Sequence, residues 1–262
     1  MATTPKRSEA AETTRFLLKL ALFVLLFRTF VIAPFMIPSE SMLPRLLIGD
    51  YLLVTKWNYG YSRWSLPWGL PLIPGHIFPR APKRGDVAVF RSHPVTDHDV
   101  IKRVIGLPGD TVQMRGGRLF LNGRAIPKQR VADFTVPITP NYSCPSQYRD
   151  SGAQGPVCRY ARFRETLPGG RSYFVLDQGY FAQADDTEVF RVPPGHVFMM
   201  GDNRDNSGDS RFPPPVGFHF VPMKNLEGKA LVIFFSTDGS AEWLKPWTWV
   251  SAARPERIGE TF

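Results

Sequence analysis

The chain has 262 residues, 43% of them hydrophobic, which is enough to build the core of one large domain or two small ones. Its 25 prolines and 22 glycines favour turns over long helices and predict a β-rich fold. A net charge of +9 suits nucleic acid or an anionic membrane surface. The absence of zinc-finger spacing, an RNP-like aromatic motif and a long Lys/Arg run argues against nucleic acid.

An apolar run within residues 15–35 is long enough to cross a bilayer as a helix, and only Lys19 and Arg28 interrupt it. Basic residues precede the run, so the positive-inside rule predicts a cytoplasmic tail at 1–14 and a transmembrane signal anchor at 15–35. A buried core helix and a cleavable signal peptide are the alternatives. Pro34 argues against cleavage, because it directly follows the small-residue pattern that a cleavage site would need.

Two serines, Ser39 and Ser41, follow this run and lie between Pro38 and Pro44. Side chains two positions apart on an extended segment point the same way, so both hydroxyls can face one pocket. Such serines more often solvate a loop or cap a helix, and the spacing alone does not establish a catalytic site.

Strands are predicted within 46–56, 84–90 and 99–110, and the last of them carries two basic residues. Lys102 and Arg103 point to opposite faces of that strand, so one must face the interior. Burial of an ammonium group is costly unless it is paired or neutral. The alternative is an edge-strand lysine that prevents aggregation.

Residues 113–194 are predicted to form an inserted, smaller β region. Gly116-Gly117 and Asn122-Gly123 indicate hairpins near its start. It contains the two cysteines of the chain, Cys144 and Cys158, which either form a disulfide worth about 3 kcal/mol in an oxidising compartment or remain free thiols.

The catalytic core is predicted to comprise residues 36–112 and 195–250, an antiparallel β-sheet. A strand at 196–200 runs into the wholly polar segment 201–211, which is either a solvated loop or a hydrogen-bonded network around a site. Another strand is predicted at 229–236. Nearby tryptophans suit either a membrane interface or a core, and these are Trp243, Trp247 and Trp249.

Four motifs occur in a characteristic order. They are Pro38-Ser-Glu-Ser-Met-Leu-Pro44 with Gly49-Asp50, Arg84-Gly-Asp-Val, Ile101-Lys-Arg-Val-Ile-Gly-Leu-Pro-Gly-Asp110, and Gly201-Asp-Asn-Arg-Asp-Asn-Ser207 with Asp209-Ser-Arg211. In these motifs the chain resembles bacterial type I signal peptidases, membrane-anchored serine proteases that remove signal peptides from exported proteins. The resemblance covers roughly residues 15–125 and 170–236.

The resemblance implies a role for each matching residue. Ser41 matches the nucleophile and Lys102 the general base, while the Ser39 hydroxyl and the Ser41 N–H match the oxyanion hole. Ser207 matches the serine that orients the lysine. Asp209 and Arg211 match a structural pair, and the family's substrate pockets fall at Phe35, Ile37, Met42, Leu46, Val100 and Ile101.

The resemblance also implies a fold and a cellular setting. The fold is mostly β, an antiparallel sheet with an inserted β region behind one N-terminal transmembrane helix. The enzyme is expected in the bacterial cytoplasmic membrane, with its N-terminus in the cytoplasm and its catalytic domain on the periplasmic face. It is expected to act as a monomer on signal-peptide-bearing preproteins, cleaving after Ala-x-Ala, with no cofactor, no metal and no nucleic acid.

The sequence departs from the family's pattern at three positions near the motifs. Glu40 stands where glycine is frequent, Arg45 where threonine is common, and Val100 where tyrosine is frequent. The first two side chains are expected to point away from the pocket. Val100 is the departure that can alter pocket shape and fine specificity.

The chemistry of a serine paired with a lysine agrees with these roles. A serine hydroxyl needs a base, and a lysine can serve only when burial lowers its pKa enough to leave it neutral. A Ser-His-Asp triad is the rival, but no Gly-x-Ser-x-Gly elbow occurs. Two alternatives to a signal peptidase remain. The first is a self-cleaving repressor-type Ser/Lys peptidase, and the second is a non-enzymatic, membrane-anchored basic binding module.

Overall fold

The computed structural model describes residues 9–153, 155–242 and 244–262. Most of the predicted cytoplasmic tail, 1–14, lies outside the described residues, and so does Trp243. The α-helices are α1 (Glu9–Phe30), α2 (Ala182–Asp185) and α3 (Trp247–Ser251). Short 3-10 helices occupy Arg63–Ser65, Pro67–Gly69, Ser146–Tyr148, Met223–Asn225 and Pro255–Arg257.

The strands follow one another along most of the chain. In chain order they are β1 (Ile32–Met36), β2 (Asp50–Thr55), β3 (Tyr61–Ser62), β4 (His76–Ile77), β5 (Val87–Arg91), β6 (Asp99–Gly106), β7 (Thr111–Arg115), β8 (Arg118–Leu121), β9 (Arg124–Ala125), β10 (Lys128–Arg130), β11 (Phe134–Pro137), β12 (Arg149–Gly152), β13 (Gly155–Tyr160), β14 (Arg162–Thr166), β15 (Ser172–Leu176), β16 (Phe190–Arg191), β17 (His196–Met200), β18 (Phe220–Pro222) and β19 (Leu226–Ser236). The predicted hairpins are confirmed as β7–β8 and β8–β9.

The largest sheet has seven antiparallel strands in the order β1-β2-β19-β5-β6-β17-β18. Smaller sheets are β16-β7-β8-β9, β10-β14-β15, β11-β13-β12 and the pair β3-β4. The predicted mostly β, antiparallel fold is therefore confirmed. Lys102 is buried, so the interpretation of Lys102 as an edge-strand lysine that prevents aggregation is wrong.

The helix α1 is displaced from the predicted span of 15–35. It begins at Glu9 and ends at Phe30, and β1 then pairs along its whole length with β2. Pro34 cannot continue a helix, whereas an edge strand tolerates proline, which explains why the apolar run changes conformation here. Within the described residues, no helix combines the length and the apolarity needed to cross a membrane.

The main sheet and the region 113–194 share a hydrophobic core. Ile105 and Phe198 of the main sheet pack in one cluster with Leu119 of β8 and Val175 of β15. The predicted boundary at residue 113 falls inside β7, whereas β6 leaves the main sheet at Gly106. Burial of such side chains removes apolar surface from water, at about 25 cal/mol per Å², and holds the two parts together.

The two cysteines of the region 113–194 are joined. Cys144 and Cys158 form a disulfide. The sequence left open a disulfide or two free thiols, and the structure has the disulfide. The bridge ties the loop after β11 to β13 and is buried in a small cluster with Val136 and Tyr160.

Candidate active site

The site forms where the segment after β1 meets the middle of β6. Lys102 Nζ lies 2.6 Å from Ser41 Oγ and is hydrogen-bonded to it. The same nitrogen also donates to the Ile101 carbonyl at 3.1 Å. Lys102 is 4% exposed and Ser41 is 9% exposed, so both groups are largely withdrawn from water. The structure thus brings together two side chains that are 61 residues apart in the sequence.

Burial lowers the pKa of Lys102 to about 8, while the carboxylates of Asp209 and Asp202 oppose that shift. Each of these two carboxylates accepts hydrogen bonds from an arginine side chain and not from Lys102. Arg211 donates to both oxygens of Asp209, from Nε and Nη2 at 2.9 Å, and Arg103 Nε donates to Asp202 at 2.8 Å. The predicted pairing of Asp209 with Arg211 is therefore present, and the two guanidinium groups limit how far the carboxylates can favour a charged lysine.

The hydroxyl groups of Ser39 and Ser41 do face one another, with their oxygens 3.4 Å apart. The Ser41 backbone N–H donates to no group among the described residues. A backbone N–H without an acceptor, together with a neighbouring hydroxyl, is the kind of donor pair that can stabilise an oxyanion.

Ser207 lacks the hydrogen bond to Lys102 that was predicted for it. Its hydroxyl is buried and has no hydrogen-bond partner in the described part of the chain, so the predicted bond to Lys102 is not formed. The amine uses Ser41 and the Ile101 carbonyl instead. Ser207 packs against Gly201, where any side chain would collide both with Ser207 and with the Ser41 carbonyl.

The polar segment 201–211 holds the nucleophile loop in place. The Asn203 backbone N–H donates to the Ser41 carbonyl at 3.1 Å, and its side-chain amide donates to the Glu40 carbonyl at 3.2 Å. Of the two predictions for this segment, the hydrogen-bonded network is confirmed, since most of its side chains are buried and partnered. Asn203 was not predicted as a site residue, although its place in this polar run was a usable signal.

A cavity of about 110 Å³ opens beside the two serines, between residues 35–39 and the start of β6. Four of the predicted pocket residues line this cavity, namely Phe35, Ile37, Val100 and Ile101. Met42 and Leu46 do not line it; both are fully buried in the cluster against which Phe35 and Ile101 pack. Lining residues that the sequence did not indicate are Met36, Pro38, Val89 and Asp99.

Histidine takes no part in this arrangement within the described residues, because Ser41 Oγ contacts only Lys102 and Ser39. A serine hydroxyl hydrogen-bonded to a buried amine of lowered pKa, beside a small apolar cavity in a β fold, is typical of serine peptidases that use an amine in place of an imidazole.

Comparison with known proteins narrows this class. Residues 10–235 match the family model described as "Signal peptidase, peptidase S26". The chain belongs to this family, and it is accordingly a serine peptidase, a hydrolase.

Among curated relatives, Signal peptidase I of Rickettsia akari (strain Hartford) is 37% identical over 257 residues, covering 89% of this chain and 86% of the relative. Signal peptidase I of Rickettsia typhi (strain ATCC VR-144 / Wilmington) is 36% identical over 260 residues, covering 89% and 87%. The crystal structure of a signal peptidase I from Enterococcus faecalis V583 is 27% identical and covers 57% of this chain and 97% of its own, with a TM-score of 0.30.

Proposed function

We propose that this enzyme cleaves N-terminal signal peptides from exported preproteins after small residues, with Ser41 as nucleophile and Lys102 as general base. The observation that carries the proposal is the 2.6 Å contact between Ser41 Oγ and Lys102 Nζ, both of them buried. A neutral amine at this distance can accept the hydroxyl proton while the oxygen attacks a carbonyl carbon.

The reaction proceeds through an acyl-enzyme on Ser41. Lys102 takes the Ser41 proton as the Oγ–C bond forms, and returns it to the leaving amine as the peptide C–N bond breaks. A water then gives its proton to Lys102 and attacks the ester carbon. As the bond between that carbon and Ser41 Oγ breaks, Lys102 returns the proton to Oγ, which releases the signal-peptide acid and restores Ser41. The Ser41 N–H and the Ser39 hydroxyl donate to the carbonyl oxygen while it carries negative charge.

The substrate lies as an extended strand along β6. β6 pairs with β17 from Arg103 onward, which leaves residues 99–102 open on that side. A peptide that adds a strand there places alternate side chains toward the 110 Å³ cavity, whose size suits small side chains such as alanine.

The helix α1 attaches the enzyme to the bacterial cytoplasmic membrane, with the catalytic part on the periplasmic face. Apolar side chains on every side of α1 are exposed to solvent, and lipid would cover them. They are Phe16, Leu17, Leu18, Leu20, Leu22, Phe23, Val24, Leu25, Leu26 and Phe27. The Tyr61 hydroxyl donates to the Phe30 carbonyl at the end of α1. The loop that follows Tyr61 carries Trp68, whose side chain is 91% exposed.

Cleavage of a precursor that carries an Ala-x-Ala signal peptide, by the full chain in non-ionic detergent, tests the proposal. The expected product is the mature protein, cut after the second alanine, as shown by its mass. A precursor with a large residue at that position is the control and is expected to stay intact. Binding of the precursor without cleavage would instead favour the alternative of a non-enzymatic binding module.

The pH dependence of cleavage is expected to follow Lys102. The lysine is protonated below its pKa and cannot then accept the Ser41 proton, so kcat/KM is expected to rise with pH and level off above about 8. A pH profile of kcat/KM measures this, with a slope approaching one on the acid side. An apparent pKa near 10.5, the ordinary value for lysine, would contradict the buried-base mechanism.

The cavity predicts how specificity can be changed. Ile101→Ala removes part of the cavity wall. It is expected to raise the ratio of kcat/KM for a leucine precursor to kcat/KM for an alanine precursor by about 10-fold, where the two precursors differ at position −3, the third residue before the cleaved bond. The measurement is competition between the two precursors. Ile77→Ala, at an exposed strand position outside the cavity, is the matched control. An unchanged ratio in Ile101→Ala would exclude this wall from specificity.

A further inference from the structure

A second cavity, of about 500 Å³, lies outside the catalytic site, and we call it the arginine cavity. Its walls come from β14, β15, the segment after Ser41 and the last residues of the chain. Six arginines line it, namely Arg45, Arg103, Arg162, Arg164, Arg171 and Arg257. Glu260 contributes the one carboxylate side chain among the described residues of the lining.

Four of the arginines already have carboxylate partners. Arg45 pairs with Glu260 at 3.1 Å, and Arg171 with Asp86 at 3.1 Å. Arg103 pairs with Asp202, and Arg257 with both Asp50 and Glu260. Apart from Glu260, these carboxylates are not part of the lining, so their charge lies behind the wall.

Arg162 and Arg164 are different, because neither has a carboxylate partner in the described part of the chain. They stand on the same face of β14, about 7 Å apart along the strand. Both guanidinium groups contact one ring, that of Phe174, at 4.8 and 5.6 Å from its centroid. Arg162 donates from Nε to the Ala132 carbonyl, whereas the Arg164 side chain makes no hydrogen bond to a described residue. Two like charges, of which Arg162 is half-buried and Arg164 is exposed to solvent, are thus held next to each other without a carboxylate partner among the described residues.

The charge of the cavity also affects a third arginine. Burial is the main cause that lowers the pKa of Arg45. The carboxylates of Glu260 and Asp202 raise that pKa, whereas the guanidinium groups of Arg257 and Arg103 lower it, so Arg45 senses two other arginines of the cavity.

We propose that the arginine cavity binds a small polyanion carrying at least two phosphate or carboxylate groups. Guanidinium groups bind such groups through paired N–H donors, and Arg162 and Arg164 have donors to spare. The volume falls in the range of small-ligand sites. A soluble phosphate compound and a lipid headgroup share this chemistry. The inference does not depend on the proposed peptidase mechanism.

The test is calorimetric titration of the full chain, in non-ionic detergent, with pyrophosphate. We expect saturable binding at one site that weakens as salt is added. The double variant Arg162→Gln/Arg164→Gln is expected to raise Kd by about 10-fold or more, because two charge-assisted contacts are lost. Addition of cardiolipin, whose headgroup carries two phosphates, to the micelles distinguishes the sources. Competition of cardiolipin with pyrophosphate assigns a lipid headgroup, and the absence of competition assigns a soluble ligand.

The matched control is Arg115→Gln/Arg118→Gln, on the β7–β8 hairpin. It removes the same net charge, and Arg115 likewise stacks on a phenylalanine ring, at 4.9 Å from the centroid of Phe120. This control is expected to bind pyrophosphate like the wild type. Absence of binding by the wild type at millimolar pyrophosphate, or an equal loss in the control, would overturn the proposal.

Discussion

Ser41→Ala is expected to lower the rate of signal-peptide cleavage by about 10⁴-fold or more, because no other hydroxyl is positioned to form the acyl-enzyme. Ser39 lies close by, but its oxygen is 3.4 Å from Ser41 Oγ and makes no hydrogen bond to Lys102 among the described residues. Single-turnover cleavage of the Ala-x-Ala precursor measures the loss. Ser65→Ala, at another buried serine, is the control for folding and is expected to remain active.

Lys102→Met keeps the length of the side chain, removes the amine, and is expected to produce a loss of the same order. The double variant Ser41→Ala/Lys102→Met is expected to be no slower than either single variant, because nucleophile and base act as a unit. Lys128→Met, at a partly buried lysine that pairs with Asp177 outside the site, is the matched control. Retained activity in Lys102→Met would place the base elsewhere, with the histidines as the next candidates.

The proposed catalytic pair of Ser41 and Lys102 could be predicted from the sequence because strand alternation is local. An apolar strand that contains adjacent Lys102 and Arg103 must send one of them inward, and the Ser-x-Ser spacing places Ser39 and Ser41 on one side. The two serine hydroxyls do face one another, and both basic residues are buried, Lys102 against Ser41 and Arg103 against Asp202. Which basic residue faces the serine depends on the neighbours of β6, and the resemblance supplied that choice.

Contacts between distant segments were beyond the sequence. Asp50 is fully buried and accepts hydrogen bonds from Ser236 Oγ and Arg257 Nη2, both at 2.6 Å. Ser236 is a partner because β19 lies beside β2. Arg257 is a partner because the last residues of the chain, beyond the predicted core end at residue 250, pack back against the main sheet. Local patterns carry no information on such pairings, which the sheet order determines.

The change from helix to strand after Phe30 was also missed. Hydropathy describes residues 15–35 as one run, since apolar side chains suit a membrane helix and a strand alike. Pairing of β1 with β2 decides the matter, because β2 offers an open edge to residues 32–36. The same pairing positions the segment that carries Ser39 and Ser41.

Glu165→Gln is expected to reduce the free energy of unfolding by about 3–5 kcal/mol, since it leaves the buried guanidinium of Arg204 without its counter-charge. Arg204 donates to both oxygens of Glu165, at 3.0 and 2.6 Å, and the Tyr173 hydroxyl donates to the same carboxylate at 2.7 Å. Denaturant unfolding of the full chain in detergent measures the loss. Glu242→Gln, which breaks an exposed pair with Lys245, is the control and is expected to change little.

Replacing Glu165 and Arg204 together distinguishes the contribution of their ion pair to stability from the contribution of their packing. Glu165→Leu/Arg204→Met is expected to be more stable than Glu165→Gln, because no unpaired charge stays buried. It is nevertheless expected to cleave more slowly, since Arg204 Nε holds the Gly201 carbonyl at 3.1 Å and Gly201 lies against Ser41. If the double variant were the less stable of the two, the stability would come from the shape of these side chains and not from their charges.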